Sequence, residues 1–200
     1  MADFFSIQIQ TGWQRALESF ADWCDPPSGC LALDVGSGPG LFSHLLRQRG
    51  CSAWGVDLDE EFLRQNYLSQ PLIQADVRFL PFPAGTFHLV TASNLLFFLP
   101  EPVVTLREMA RLALPGGQVC LLNPSEHLSL DNVASLVKQR NLQGITRLSL
   151  LNWAQRAESH MRWSEAELDE LYTSAGLLLI ETTLKVGPGL ARFTRGIKPA

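Results

Sequence analysis

Short apolar runs alternate along the chain with segments whose apolar residues recur at helical spacing. The runs predict buried strands over residues 31–35, 53–57, 72–75, 87–92 and 118–122. Between them, helical patterns cover residues 41–49, a segment that Asp59 can cap, and 103–114. Because parallel neighbouring strands need a crossover connection, this alternation predicts a parallel sheet of the α/β class.

The rest of the chain departs from this rhythm. Residues 123–160 contain helical patterns over 130–139 and about 148–161, more than a simple crossover requires. Ser164 and Glu167 form a capping box that starts a further helix. Two strands over 177–186 and 191–197, separated by glycines and a proline, predict an antiparallel hairpin. An amphipathic helix over 13–23 follows an aromatic arm, which is either a disordered terminus or a flap over the site.

The length and composition are typical of a single globular domain. The 200 residues are 46% hydrophobic and 18% charged, with a net charge of −4 and no basic cluster, which argues against a nucleic-acid binder. No apolar run is long enough for a membrane span, and the first residues do not resemble a signal peptide. The 4 cysteines lack metal or redox spacing. We therefore expect reduced, mostly buried thiols in a cytoplasmic protein.

A glycine-rich loop follows the first strand. Gly36, Gly38 and Gly40 lie between a strand and a helix, where a backbone without side chains can approach a ligand. Asp57 ends the second strand and is expected to accept both ribose hydroxyls of a nucleoside. Asp76 ends the third strand and is expected to accept from an adenine amino group. The carboxyl ends of these strands meet at one edge, so the features converge on one crevice.

Asp34 decides which nucleotide fits this crevice. It lies in the buried strand two residues before the glycines, where a carboxylate needs hydrogen bonds. It either orders the loop by accepting backbone N–H groups or helps to place the amino group of a cofactor. The spacing Gly-x-Gly-x-Gly also differs from the dinucleotide pattern, and an acid would repel a pyrophosphate. A ligand with an ammonium and a sulfonium fits better, which favours S-adenosylmethionine over NAD.

Several motifs resemble those of class I S-adenosylmethionine-dependent methyltransferases, in the type 11 small-molecule branch that includes ubiquinone and menaquinone biosynthesis enzymes. The matching segments are LDVGSGPG (33–40), GVDLD (55–59), QADVRFLPF (74–82), FHLVTA (87–92) and LREMARLALPGG (106–117). The resemblance is close over 31–122 and looser over the terminal hairpin.

This resemblance implies a Rossmann-like seven-stranded sheet in the order 3-2-1-4-5-7-6, with strand 7 antiparallel and helices on both faces. It implies that the glycine loop lines the methionine and ribose parts of the cofactor, that Leu58 packs on adenine, and that Val77 meets adenine through its backbone. Asn94 or Leu95 would lie beside the methionine moiety. The full predicted cofactor set is Asp34, Gly36, Ser37, Gly38, Gly40, Asp57, Leu58, Asp76, Val77, Asn94 and Leu95.

The acceptor side departs from the family pattern. Many relatives have a polar pair containing histidine after the fourth strand, where this chain has Phe97 and Phe98. These rings either fill the core or form an apolar floor for the acceptor, so no catalytic residue is predicted. His127 or His160 could face the acceptor, and no two histidines have metal-ligand spacing, so no metal is expected. Trp153 and Trp163 are candidate pocket or lid aromatics, and Trp153 is equally expected to pack between helices.

The sequence thus predicts methyl transfer from S-adenosylmethionine to a small, partly apolar molecule by a single domain over 1–200. Its expected parts are an N-terminal helix or flap (1–30), a cofactor-binding core (31–122), a helical insertion on the acceptor side (123–162), and the last helix with the hairpin (163–200). Two alternatives stay open: a non-catalytic S-adenosylmethionine-binding regulator or scaffold, and a nicotinamide-dependent oxidoreductase. The sequence assigns neither the acceptor nor an oligomeric state.

Overall fold

A computed structural model describes residues 3–200 and contains a seven-stranded sheet in the order β3-β2-β1-β4-β5-β7-β6. The strands are β1 (Leu31–Val35), β2 (Ser52–Asp57), β3 (Leu72–Gln74), β4 (Phe87–Ser93), β5 (Ala113–Pro124), β6 (Leu178–Lys185) and β7 (Ala191–Ile197). Strands β1 to β5 pair in parallel, and β7 runs antiparallel to both β5 and β6. The predicted strand order and the antiparallel last strand are confirmed.

Helices cover both faces of the sheet, as predicted. They are α1 (Phe4–Gln10), α2 (Trp13–Cys24), α3 (Leu41–Gln48), α4 (Glu60–Arg64), α5 (Pro102–Leu112), α6 (Leu130–Gln139), α7 (Gly144–Glu158) and α8 (Glu165–Ser174). On one face, α2 and α3 bury Phe20 and Leu46 in a core that includes Phe193 of the sheet. On the other face, helices from α5 to α8 pack with Leu33 and Val119 of the sheet in a second core. The four cysteines are buried free thiols, as expected.

Strand β5 is longer than the sequence indicates. The predicted turn at Pro115–Gly117 lies within it, and α5 ends at Leu112 instead of residue 114. The cause is a distant partner, because Gly116 N donates to Lys198 O at 2.8 Å and Lys198 N donates to Gly117 O at 3.0 Å. The strand also continues to Pro124, so the helical insertion begins after that residue.

Local capping signals place two helix starts correctly. The Ser164 capping box is present, and the Asp59 side chain accepts from Glu61 N as the cap of α4. The apolar pattern after Asp59 runs through Tyr67, but α4 ends at Arg64, and α7 begins at Gly144 instead of about residue 148.

The aromatic arm is a helix, so the disordered alternative is wrong for its described part. Asp3 caps α1 by accepting from Ser6 N at 2.7 Å. Residues 1 and 2 of the arm lie outside the described residues.

Gly196 in β7 has no space for a side chain. A Cβ there would lie 2.4 Å from Cδ1 of Tyr172, whose ring is fully buried. We expect Gly196→Ala to destabilise the fold by about 1–3 kcal/mol, the usual effect of overpacking. Urea denaturation of the variant measures this loss. Gly12→Ala is the control, since a Cβ at Gly12 meets nothing within 4 Å, and equal stability of the two variants would contradict the packing described here.

Candidate functional site

The glycine-rich loop joins β1 to α3 at the carboxyl edge of the sheet. Gly36 and Gly38 have φ angles of +71° and +53°, a region that favours glycine. The N–H groups of Gly36 and Ser37 both donate to Val56 O, at 2.8 and 2.9 Å. A Cβ at Gly36 would lie 2.9 Å from the side chain of Leu95. The loop is therefore fastened to β2 on one side and packed against the end of β4 on the other.

Asp57, at the end of β2, borders this loop directly. Its Oδ2 accepts from Gly38 N at 2.8 Å, and its Oδ1 accepts from Asp59 N at 2.9 Å. The side chain is half-buried, and burial raises the pKa of this carboxyl above its usual value. A carboxylate offers about four lone-pair sites, so Asp57 keeps acceptor capacity for a ligand. The predicted proximity of the loop and this acid is present in the structure.

Asp34 lies beneath the loop, fully buried. Its Oδ2 accepts from Ser43 Oγ at 3.2 Å, and its Oδ1 lies 3.4 Å from Thr91 Oγ1. Burial is the main cause that raises the pKa of Asp34 to about 7, and the nearby charge of Asp57 adds to it. These contacts join β1 to β4 and to α3, and both donors lie outside the glycine loop, so the two roles that the sequence left open for Asp34 stay predictions.

Asp76 follows β3, and its carboxylate is already engaged. Arg78 Nη2 donates to Oδ2 at 2.6 Å, and Arg78 N donates to Oδ1 at 2.9 Å. This pairing lowers the pKa of Asp76 to about 2. Leu58 is 62% exposed near this edge, whereas Val77 is buried. Sequence reasoning did not identify Arg78 as a partner of Asp76, although their spacing of two residues is a common turn arrangement.

Asn94 follows β4 in the left-handed region, with a φ of +53°. Its Oδ1 accepts from Trp153 Nε1 of α7 at 2.8 Å. Its backbone N–H donates to Leu122 O at 2.7 Å. Trp153, half-buried, therefore connects the helical insertion to the end of β4, and its pocket or lid role stays a prediction.

Helix α1 covers the loop. The Phe4 ring lies 3.4 Å from where a Cβ of Gly38 would be, and it packs 4.9 Å from the Phe62 ring, centroid to centroid. Phe5 N donates to Gln65 Oε1 at 3.2 Å, so α1 is fastened to the segment after α4. The flap alternative for the aromatic arm therefore agrees with the described structure.

The two phenylalanines after β4 have different environments. Phe97 is buried in the core, whereas Phe98 is 37% exposed. The ring of His160 lies edge-on to Phe98, with 5.0 Å between centroids. The core role therefore applies to Phe97, and Phe98 keeps a surface that an apolar ligand could contact.

Two histidines outside the loop region have partners within the chain. His127, one of the two candidates for the acceptor side, lies 3.8 Å from a carboxylate oxygen of Glu126, and His88 Nδ1 accepts from Leu31 N. Trp163 is buried and pairs with Ser125 through an isolated bridge, which fits packing better than a lid.

Some buried polar atoms have no hydrogen-bond partner in the described part of the chain. Three of them belong to residues near the loop or on α1: Ser37 Oγ, Asn94 Nδ2 and Gln8 Oε1. Sequence reasoning missed Gln8, because nothing in the sequence distinguishes it from a surface glutamine of a short helix. The only available signal was its place on the aromatic arm.

The fold is that of the Rossmann-like methyltransferases to which the motifs point. Residues 33–121 match the family model described as a methyltransferase domain, of type 11. The resemblance inferred from the motifs is thus confirmed over this segment, which is a little under half of the chain.

Individual relatives agree with this assignment. The chain is 34% identical over 122 residues to a ubiquinone biosynthesis O-methyltransferase of Pseudomonas paraeruginosa, covering 54% of this chain and 53% of that protein. It is 31% identical over 124 residues to an uncharacterized methyltransferase of Mycobacterium sp. strain JLS, covering 60% and 47%. The chain thus spans about half the length of these curated relatives.

The fold also matches solved structures. Magnesium protoporphyrin IX methyltransferase from Synechocystis PCC 6803, with bound S-adenosylhomocysteine, superposes with a TM-score of 0.68 at 19% identity. The superposition covers 99% of this chain and 89% of that one. At this identity the likeness establishes the fold.

Two other features are absent from residues 3–200. Within that range, no helix has the length and apolar character needed to traverse a bilayer. The same residues contain no group of three or more side chains suited to hold a metal ion.

Proposed function

We propose that this protein binds S-adenosylmethionine at the carboxyl edge of its sheet and transfers the methyl group to a small, partly apolar molecule. The observation that carries the proposal is the hydrogen bond between Gly38 N and Asp57 Oδ2. It joins a glycine turn to the acid at the end of the next strand, within the segment that matches the methyltransferase family. A nucleoside beside the loop would meet both.

The residues present fit this cofactor. Asp57 keeps lone pairs for ribose hydroxyls, and exposed Leu58 offers an apolar surface to adenine. Asn94 Nδ2 is a buried donor without a partner, which suits a polar ligand group. We assign cofactor contacts or support of the loop to the whole predicted set: Asp34, Gly36, Ser37, Gly38, Gly40, Asp57, Leu58, Asp76, Val77, Asn94 and Leu95.

The role proposed for Asp76 depends on its ion pair with Arg78. The Arg78 side chain occupies both of its oxygens, so an adenine amino group would share the carboxylate with Arg78 or displace it. The pairing also keeps Asp76 ionised, and an ionised carboxylate is an acceptor only.

The cofactor, when bound, supplies an activated methyl group on a sulfonium. The task of the chain is then to hold an acceptor atom in line with that group and to exclude water; good alignment alone can account for roughly 7–11 kcal/mol of barrier lowering. Helix α1 covers the loop and serves water exclusion. No polar pair follows β4, so we assign no general base, and an acceptor that is already ionised needs none.

The acceptor side is assigned to the segment 123–162 and to Phe98. Trp153 brings this segment to Asn94, and the exposed part of Phe98 offers an apolar contact next to it along the chain. These contacts support an acceptor with an apolar part. We also place the protein in the cytoplasm, which its unpatterned cysteines support.

Incubation of the purified protein with methyl-labelled S-adenosylmethionine and a cell extract tests the proposal. We expect the label to appear in a small molecule, and less of it to appear with Asp57→Ala at a cofactor concentration near the dissociation constant of the wild type. If the protein binds S-adenosylhomocysteine but labels nothing in any extract, the non-catalytic regulator or scaffold becomes the better account.

A further inference from the structure

Two amide side chains, one on α1 and one just after β4, each leave one buried polar atom without a hydrogen-bond partner among residues 3–200. They are Gln8 on α1, through Oε1, and Asn94 after β4, through Nδ2. Buried polar atoms in native proteins are almost always hydrogen-bonded, so each exception calls for a partner that the described residues do not provide. One of these atoms is an acceptor and the other is a donor.

The orientation of the Asn94 amide is determined by its neighbour. Trp153 Nε1 can only donate, so the atom that receives its 2.8 Å hydrogen bond must be Oδ1 of Asn94. This leaves the NH₂ group of Asn94 as the free end. The backbone of Asn94 is fixed as well, by the bond from its N–H to Leu122 O. The donor is therefore held in place before any ligand binds.

Gln8 is brought to the same region by the packing of α1. It lies on the buried face of this helix with Phe5, while Phe4 of the first turn rests against Gly38. The chain then enters α2 at Trp13, whose ring meets the Trp153 ring edge-on, with centroids 5.5 Å apart. Helix α1 also packs against α7. The tryptophan that orients Asn94 thus also contacts the segment that follows Gln8.

We propose that Gln8 and Asn94 together bind the amino-acid end of the cofactor. Gln8 Oε1 accepts from its ammonium group, and Asn94 Nδ2 donates to its carboxylate. Trp153 is a positioning residue that orients Asn94. This inference rests on the proposed function, and it adds a cofactor contact from α1, outside the segment 33–121 that matches the family.

The pairing matches the charges of the ligand. The amino-acid end is a zwitterion, which needs an acceptor for its positive group and a donor for its negative group. A neutral amide can supply either without the cost of burying a further charge in the site. In this account helix α1 contributes a residue to the binding site as well as covering the loop.

Calorimetric titration with two ligands separates this contact from the rest of the site. S-adenosylhomocysteine has the amino-acid end, whereas 5′-methylthioadenosine has the same adenine, ribose and sulfur without it. Gln8→Leu keeps the side-chain volume and removes the acceptor. We expect this variant to bind S-adenosylhomocysteine about 10- to 100-fold more weakly, as for a lost hydrogen bond to a charged group. Its affinity for 5′-methylthioadenosine should be unchanged.

Two further variants complete the test. Gln10→Leu, on the exposed part of the same helix, is the matched control and should change neither affinity. Asn94→Asp keeps the acceptor for Trp153 but replaces the donor by an oxygen that repels a carboxylate. We expect Asn94→Asp to lower the affinity for S-adenosylhomocysteine and to leave the affinity for 5′-methylthioadenosine unchanged.

The outcomes distinguish this inference from the proposed function. The inference is wrong if Gln8→Leu binds S-adenosylhomocysteine as tightly as the wild type does. It is also wrong if the variant loses the same factor in affinity for both ligands, because Gln8 then does not contact the amino-acid end. The same comparison decides the role of Asn94. If the wild type binds neither ligand, the proposed function itself fails.

Discussion

The variant Asp34→Asn will be more stable than the wild type above pH 7, and its advantage will shrink as the pH falls. The carboxyl of Asp34 is fully buried, and its hydrogen bonds come from the hydroxyls of Ser43 and Thr91 instead of a cation. Burial raises its pKa to about 7. An asparagine has nearly the same shape and carries no charge at any pH.

The direction follows from proton linkage. In the unfolded chain an aspartate has a pKa of about 3.9, so between this value and about 7 the folded protein keeps a proton that the unfolded chain has released. Stability therefore falls as the pH rises through this window. The difference between variant and wild type should grow by about 1.4 kcal/mol per pH unit from pH 5 to pH 7 and then level off.

Urea denaturation of both proteins at several pH values between 5 and 8 measures this difference directly. Asp169→Asn, which removes an exposed carboxylate on α8, is the control for the loss of one acid. If Asp34→Asn is less stable than the wild type at pH 8, the buried carboxylate is ionised and favourably bound, and the account of its burial is wrong.

The variant Asp57→Ala will lose affinity for S-adenosylhomocysteine by about 1–3 kcal/mol, which is roughly 5- to 150-fold. The substitution leaves buried ribose hydroxyls without an acceptor. It also removes the acceptor of Gly38 N, which the wild type holds at 2.8 Å. Calorimetric titration of the folded variant gives the affinity.

The second ligand sharpens this prediction. Because 5′-methylthioadenosine contains the same ribose, Asp57→Ala should lower the affinity for both ligands by the same factor. Gln8→Leu, in contrast, should lower only the affinity for S-adenosylhomocysteine. Asp59→Asn is the matched control, since Asp59 caps α4 and an asparagine can cap it as well. Unchanged affinity in folded Asp57→Ala would exclude the ribose role.

The parts of the fold that the sequence predicted are those with local signals. Strand order came through the motif resemblance, and the start of α8 came from Ser164 and Glu167, whose side chains and backbones satisfy each other. The convergence of Gly38 and Asp57 follows from strand topology, because parallel strands that are neighbours end at the same edge.

The parts that the sequence could not predict depend on partners far along the chain. Helix α1 is fastened by Gln65, which lies 60 residues away from Phe5. The orientation of Asn94 depends on Trp153, at a separation of 59 residues. The extra length of β5 depends on Lys198. No local pattern encodes such pairs, so periodicity and capping cannot reveal them.

On the acceptor side, too, the sequence could not predict which side chains are exposed. Phe97 and Phe98 are adjacent and chemically identical, yet one is core and the other is partly exposed. Both rings lie in one short 3₁₀ helix, and the ring of His160 lies edge-on to both, so no local signal separates the buried ring from the exposed one. Sequence alone predicted the donor side in detail and left this side open.

The most direct test of the central claim is a calorimetric titration of the wild-type protein with S-adenosylhomocysteine and, in parallel, with NADH. The account predicts micromolar binding of S-adenosylhomocysteine and no binding of NADH. Binding of NADH without binding of S-adenosylhomocysteine would contradict it.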